Sequence, residues 1–330
     1  MREERMKKNR ALSPDRKNHR RLFRDLAVAF LLIVLACVFT NCTSGQKGSD
    51  SAGSGHSLSP QELADLSDTS AESYGVFLGV DEDSFSIDIF DGYDLVVVDA
   101  QELRKEQLAQ LHARGHIVYS YLNVGSIEDF RDYYEDFTDI CLDRYKNWPE
   151  ENWIDVTKEE WQRFVTADLP ARSLEKDPKV DGLFLDNLDV YFHMASSGKY
   201  RAESENAYEA LIKILQEYHA GEIPVLINGA EDFVRRLLED DMGSLILGVN
   251  QETVFTAITD YKRDGFEAQD EDETEHYCEY LEECAEEGLQ VFLLEYTDDL
   301  SIEEKITLYC REHAFRYYIS RHVNLVPSAE

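Results

Sequence analysis

The 330-residue chain has room for one large domain or two small ones with a sizeable core. Its formal charge of −34 argues against nucleic acid and anionic lipid as partners. That charge is uneven: residues 1–41 hold ten Lys or Arg against four Asp or Glu, so the remainder carries about −40, which suits a cationic partner or plain solubility.

From the start to Arg24 the chain is basic, and Leu26 to Val38 is an unbroken apolar run. That run is short for a membrane span and of the right size for the core of a secretory signal. Two cysteines follow. Cys37 ends VLAC, where a small residue precedes the cysteine as in a bacterial lipoprotein signal, and Cys42 leads into a polar Gly/Ser-rich tract from Thr43 to Ser57. Either is a candidate for lipidation, beside the alternative of an uncleaved anchor. The expected organisation is a signal or anchor over 1–42, a flexible tether over 43–60 and one exported domain over 61–330, held near a membrane.

A short helix is expected at 60–68. Beyond it, apolar runs of strand length alternate with amphipathic stretches of helix length. The strand candidates are 74–80, 94–100, 116–124, 152–156, 181–187, 223–229, 244–250, 289–297 and 315–321. Helices are expected at 105–115 and 207–221, each ended by a glycine, and in EDFVRRLLEDD, HYCEYLEECAEEG and SIEEKITLYCREH. Near-continuous apolar strands alternating with helices predict a parallel sheet covered on both faces. Eight or nine such units predict an α/β fold of the (β/α)8 TIM-barrel type, with one extra strand to spare. NWIDV (152–156) is the weakest strand, and the last run either replaces it or packs beside the barrel. No glycine-rich loop follows the first strand, so a dinucleotide fold is not supported.

Cys141, Cys278, Cys284 and Cys310 lack the spacing of a metal site, and no metal or other cofactor is expected. Cys278 and Cys284 fall on different sides of a helix, which opposes a disulfide between them. A Cys278–Cys310 pairing and a set of free buried thiols both stay open.

The most informative stretch is DGLFLDNLDVY, Asp181 to Tyr191, a buried strand that ends in Asp186, Asn187 and Asp189. Barrels carry their chemistry at strand C-termini, and paired carboxylates cut glycosidic bonds. The competing reading is that Asp186 and Asn187 shape a turn and Asp189 caps the next helix. Other strand ends offer Asp99, Asn123, Asp155, Asn228 with Glu231, Asn250 with Glu252, and Glu295 with Tyr296. Tyr119, Tyr121, Tyr191 and the tryptophans 148, 153 and 161 add rings on which sugars stack. No strand candidate ends in histidine, which weighs against a metal-dependent hydrolase built on Asp99, Asp155 and Asp186.

GYDLVVVDA, HIVYSYLNVGSIEDFR, the W-x-x-x-x-W-I-D-V run from Trp148, DGLFLDNLDVY and VNQETVF together resemble glycoside hydrolase family 114, the endo-α-1,4-polygalactosaminidase-like barrels, over roughly 74–324. The resemblance implies an exported glycoside hydrolase with Asp186 as catalytic aspartate and Glu252 as its partner, Glu295 and Glu231 standing in reserve. It implies a polymer of α-1,4-linked galactosamine or N-acetylgalactosamine, cationic where the amines are free. The expected substrate contacts are Asp99, Tyr121, Asn123, Asp155, Asn187, Asp189, Tyr191, Asn228, Asn250, Glu295 and Tyr296. The alternative is a barrel that binds surface polysaccharide without cutting it.

Overall fold

The computed structural model describes residues 73–146, 148–174 and 179–327. The expected leader, tether and 60–68 helix, with Cys37 and Cys42, lie outside those residues. In chain order the strands are β1 (Tyr74–Phe77), β2 (Leu95–Val98), β3 (Ile117–Asn123), β4 (Ser126–Glu128), β5 (Cys141–Arg144), β6 (Glu151–Ile154) and β7 (Gly182–Asp186). They continue with β8 (Val225–Asn228), β9 (Gly248–Glu252), β10 (Thr256–Asp260), β11 (Gly265–Ala268), β12 (Gln290–Tyr296) and β13 (Arg316–Ser320).

Eight of them form one parallel sheet in the order β1-β2-β3-β7-β8-β9-β12-β13, and β13 returns beside β1 to nearly close a barrel. Helices connect the staves: α1 (Lys105–Arg114), α2 (Glu159–Arg163), α3 (Leu169–Leu174), α4 (Val190–Ser196), α5 (Ser204–Ala220), α6 (Glu231–Glu239), α7 (Glu271–Glu286) and α8 (Leu300–His313). Gly115 ends α1 in the left-handed conformation at φ 93°, where glycine carries no steric cost. Gly221 does not do the same for α5: its φ is −83°, and the left-handed residue is Glu222.

Because side chains alternate across a strand, staves such as β7, β8 and β12 divide their residues between two cores. Leu183, Leu185, Val225, Ile227, Val249, Val291 and Leu293 pack in the layer beneath the helices. Their neighbours Phe184, Leu226, Phe292 and Leu294 join Tyr74, Tyr119, Tyr121 and Tyr296 in a second core inside the barrel. The inward parity continues to the strand ends, where it puts Asp186 after Phe184, Asn228 after Leu226, Glu252 after Asn250 and Tyr296 after Leu294.

Two elements depart from expectation. NWIDV is not a stave: β6 pairs antiparallel with β4 and β5 in a small sheet inserted after β3. Only Trp153 and Ile154 of that strand are buried, too little apolar surface for a strand covered on both faces. β3 pairs directly with β7, and the last strand candidate, β13, supplies the eighth stave between β12 and β1. The antiparallel hairpin β10–β11, inserted after β9, was absent from the sequence reading. Cys141, Cys278, Cys284 and Cys310 are free thiols, so no Cys278–Cys310 bridge forms.

Candidate active site

At the C-terminal end of the barrel lies a cavity of about 540 Å³. Eight acids reach it: Asp99, Glu102, Glu128, Glu150, Glu151, Asp186, Asp189 and Glu252. Arg131 is the one Lys or Arg among the described lining residues. It is engaged already, donating to Asp99 at 2.7 Å and to Glu102 and Glu128 at 3.1 Å.

A single amide joins the two central carboxylates. Asn228 Nδ2 donates to Asp186 Oδ1 at 3.0 Å and to Glu252 Oε1 at 2.7 Å. Those two contacts to one nitrogen keep the acceptor oxygens within about 5.7 Å of each other. A relay behind Asn228 sets its orientation: the Tyr74 hydroxyl donates to Asn250 Oδ1 at 3.1 Å, and Asn250 Nδ2 donates to Asn228 Oδ1 at 2.6 Å. With its oxygen occupied, Asn228 can only present its NH2 to the acids.

Asp186 also accepts from the Asn187 backbone N–H at 2.9 Å and the Tyr121 hydroxyl at 3.3 Å. Glu252 accepts from the Tyr296 hydroxyl at 2.7 Å. Burial raises the Asp186 carboxyl well above the usual range, and the nearby charges of Glu252 and Glu151 raise it further. Both effects favour the protonated form of this carboxyl over that of an exposed aspartate.

Asn187 is the joint between β7 and the turn at the cavity. Its φ of 62° is left-handed, a conformation that asparagine tolerates better than most side chains. Its Nδ2 donates to Asn123 Oδ1 and Ser126 Oγ, each at 3.1 Å, and to Glu151 Oε2 at 3.4 Å. Asn123 and Ser126 also hold Glu151, which burial and the Glu128 charge push up to about 7. Asp189 lines the cavity one turn further on, pushed up to about 6 mainly by burial. It stands at the N-terminus of α4 without a side-chain capping bond.

Of the expected substrate contacts, Asp99, Tyr121, Asn187, Asp189, Asn228 and Tyr296 line the cavity with Asp186 and Glu252. Asn123 and Asn250 stand one hydrogen bond behind it. Three others are outside the lining. Asp155 follows β6 of the inserted sheet, accepts from Thr157 and pairs with Lys158. Tyr191 packs on Tyr208 and Phe233 and accepts from Arg236. Glu295 has the outward parity and is fully buried, accepting from the Val254 and Phe255 N–H groups and the Thr256 hydroxyl. The reserve acid Glu231 turns to Arg235 and His276.

Glu295 makes a separate prediction about pH. Burial pushes it up to about 8 against the pull of its three donors. Between about 4.5 and 8 the folded state keeps a proton that the unfolded chain has lost, so stability falls as pH rises through that window. Chemical denaturation of Glu295→Gln should show a flatter pH dependence there, by a few kcal/mol across the window. An unchanged slope would place the proton elsewhere.

Glu151, Glu128, Arg131 and Tyr145 were missed as cavity residues. Glu128 and Arg131 sit in the SIEDFR run that carried part of the resemblance, and Glu151 precedes NWIDV by one residue. Glu128 is buried, and its Oε2 has no protein partner among the described residues.

The model of glycoside-hydrolase family GH114 matches residues 62–323. Among solved structures, the glycoside hydrolase domain of PelA from Pseudomonas aeruginosa aligns with a TM-score of 0.62 at 17% identity, over 78% of this chain and 99% of that one. Aspergillus fumigatus Ega3, in complex with galactosamine, aligns with a TM-score of 0.61 at 16% identity, over 78% of this chain and 94% of that one. At such identities these likenesses speak for the barrel alone. No curated protein matches. The family match spans the whole barrel, from before β1 to past β13, and on that ground the chain belongs to glycoside-hydrolase family GH114.

Proposed function

We propose that this glycoside hydrolase cleaves a cationic amino-sugar polysaccharide, α-1,4-linked galactosamine or its partly N-acetylated form, by double displacement on Asp186 and Glu252. The observation that carries the mechanism is the Asn228 bridge. Retaining glycosidases hold their two carboxyls roughly 5–5.5 Å apart, whereas inverting enzymes leave roughly 6.5–9.5 Å for a water. The bridged oxygens, no more than about 5.7 Å apart, allow the spacing of the first class.

In this reading an Asp186 oxygen attacks the anomeric carbon while Glu252 passes its proton to the departing glycosidic oxygen, leaving a glycosyl ester on Asp186. Glu252 then takes a proton from water, the water oxygen attacks the same carbon, and the ester bond breaks. A sugar ammonium at C2, next to the anomeric carbon, favours the ionised Asp186 that the attack needs.

The lining supports the substrate class. Eight carboxylates against one arginine, itself already paired with three of them, form a cleft that attracts ammonium groups and loses that attraction as salt rises. Glu128 Oε2 has an acceptor to spare for such a group. The co-crystallised galactosamine of Ega3 is of the same chemistry. The same reading keeps the enzyme outside the cell, held by residues 1–42 through Cys37, Cys42 or an uncleaved anchor, which cell fractionation of the full chain checks.

The deciding experiment follows the hydrolysis of a galactosamine polymer by proton NMR. New reducing ends should appear first as the α anomer, the configuration of the bond cut. First appearance of the β anomer would overturn double displacement, and the absence of reducing ends would overturn the substrate.

A further inference from the structure

Among the described residues, six large apolar side chains are exposed, and three of them, Phe130, Trp148 and Tyr261, line the one cavity that holds Asp186 and Glu252. Scattered single exposures are ordinary; three rings gathered at one opening are not. They come from separate pieces of chain. Phe130 follows β4, Trp148 lies in the turn between β5 and β6, and Tyr261 lies in the turn between β10 and β11.

The two insertions rise on either side of the strands that carry Asp186 and Asn228. The β4–β6 sheet leaves the barrel after β3, the β10–β11 hairpin leaves it after β9, and β7 and β8 stand between. Yet their tips meet: the Trp148 and Tyr261 rings touch edge to face, centroids 5.6 Å apart at 82°. Phe130 is held by Arg131, whose guanidinium sits 5.0 Å from the ring centroid. It is 64% exposed, so one side of an anchored ring remains open to the cleft.

We propose that Phe130, Trp148 and Tyr261 form an aromatic rim that binds sugar rings of the polymer away from the cleavage point, and that this rim makes the enzyme select a chain over a short fragment. The carboxylates below recognise amines and hydroxyls, while the rim supplies apolar faces for the C–H side of successive pyranose rings. The two insertions then act as one device, positioned by the Trp148–Tyr261 contact. The proposal rests on the polysaccharide reading above.

Binding in the Asp186→Asn background, where cutting is expected to be at least about 10³-fold slower, tests the rim separately from cleavage. Affinity gel electrophoresis against a soluble galactosamine polymer, with chitosan as a second polymer, gives chain affinity. Competition by galactosamine monosaccharide reports the cleavage point alone. Trp148→Ala and Tyr261→Ala should each weaken polymer binding roughly ten-fold and leave the monosaccharide within about two-fold. Phe130→Ala, at the most exposed of the three rings, provides a variant whose folding is not at stake.

Polymer affinity that survives all three substitutions overturns the rim, as does an equal loss for polymer and monosaccharide, which marks a structural role. Absence of binding to either polymer overturns it too. Rim-dependent binding by a protein whose wild type cuts neither polymer upholds the rim and refutes the substrate reading instead.

Discussion

Asp186→Asn is expected to lower turnover of a galactosamine polymer by at least about 10³-fold while leaving the melting temperature unchanged or higher. The two halves of that expectation share one cause. Asp186 is close to a second carboxylate and is deprived of water, which raises its proton affinity and makes its ionised form costly. The amide removes the charge and keeps the shape. Its oxygen still accepts from the Asn187 N–H and the Asn228 NH2, and its own NH2 can donate to the Tyr121 hydroxyl. The relieved repulsion is worth on the order of 1 kcal/mol, or a few degrees in a domain of this size.

On the proposed mechanism, however, the substitution removes the nucleophile. Glu252→Gln should behave differently: it should slow polymer cleavage strongly but spare the first step on an aryl glycoside whose leaving group needs no proton, which then appears as a burst before the slowed second step. Parallel thermal melts and rate measurements decide the matter. Wild-type turnover in Asp186→Asn would remove it from the reaction. A fall in melting temperature of several degrees would return it to the turn-shaping reading.

Period-two alternation explains both what the sequence made legible and what it hid. Each barrel strand is buried on both faces, so neighbouring residues are equally apolar and nothing local says which parity faces inward. At the end of β12 the sequence does not distinguish Glu295 from Tyr296, and both are expected as substrate contacts. Only the ring closure decides that Tyr296 reaches the cavity while Glu295 supports the chain behind it. β7 posed no such problem, because DGLFLDNLDVY ends in three polar groups and any register leaves one of them at the cavity.

Other errors came from the inserted sheet. NWIDV has the composition of a short strand, and reading it as a stave brought Asp155 into the site and left Glu151 out. The antiparallel partners that capture β6 lie in β4 and β5, and nothing in its own five residues names them. Arg131 was legible as a residue but not as an ion-pair centre. Asp99 and Glu128, its two buried partners, are brought together by the barrel from positions 32 and 3 residues away.

The same joint between β3 and β7 gives the largest structural effect. Gly125→Ala should cost more than about 3 kcal/mol of stability and reduce whatever activity survives. A Cβ built at Gly125 falls 1.7 Å from the Asn187 carbonyl oxygen and 2.6 Å from its carbonyl carbon. Both atoms are backbone, so no rotamer change relieves the clash. Asn187 has little room to retreat, since Asn123, Ser126 and Glu151 hold its side chain and its left-handed φ fixes the turn. If β7 is pushed away from β3, the Asn187 N–H leaves Asp186 and the Tyr121 hydroxyl is drawn further off. Thermal unfolding should show a drop of roughly 6–12 °C, with kcat falling more than KM rises, because the damage is to aim rather than to binding. A melting temperature within a degree or two of wild type would mean that the two strands can part at this point, and that the asparagine joint does not hold Asp186 in place.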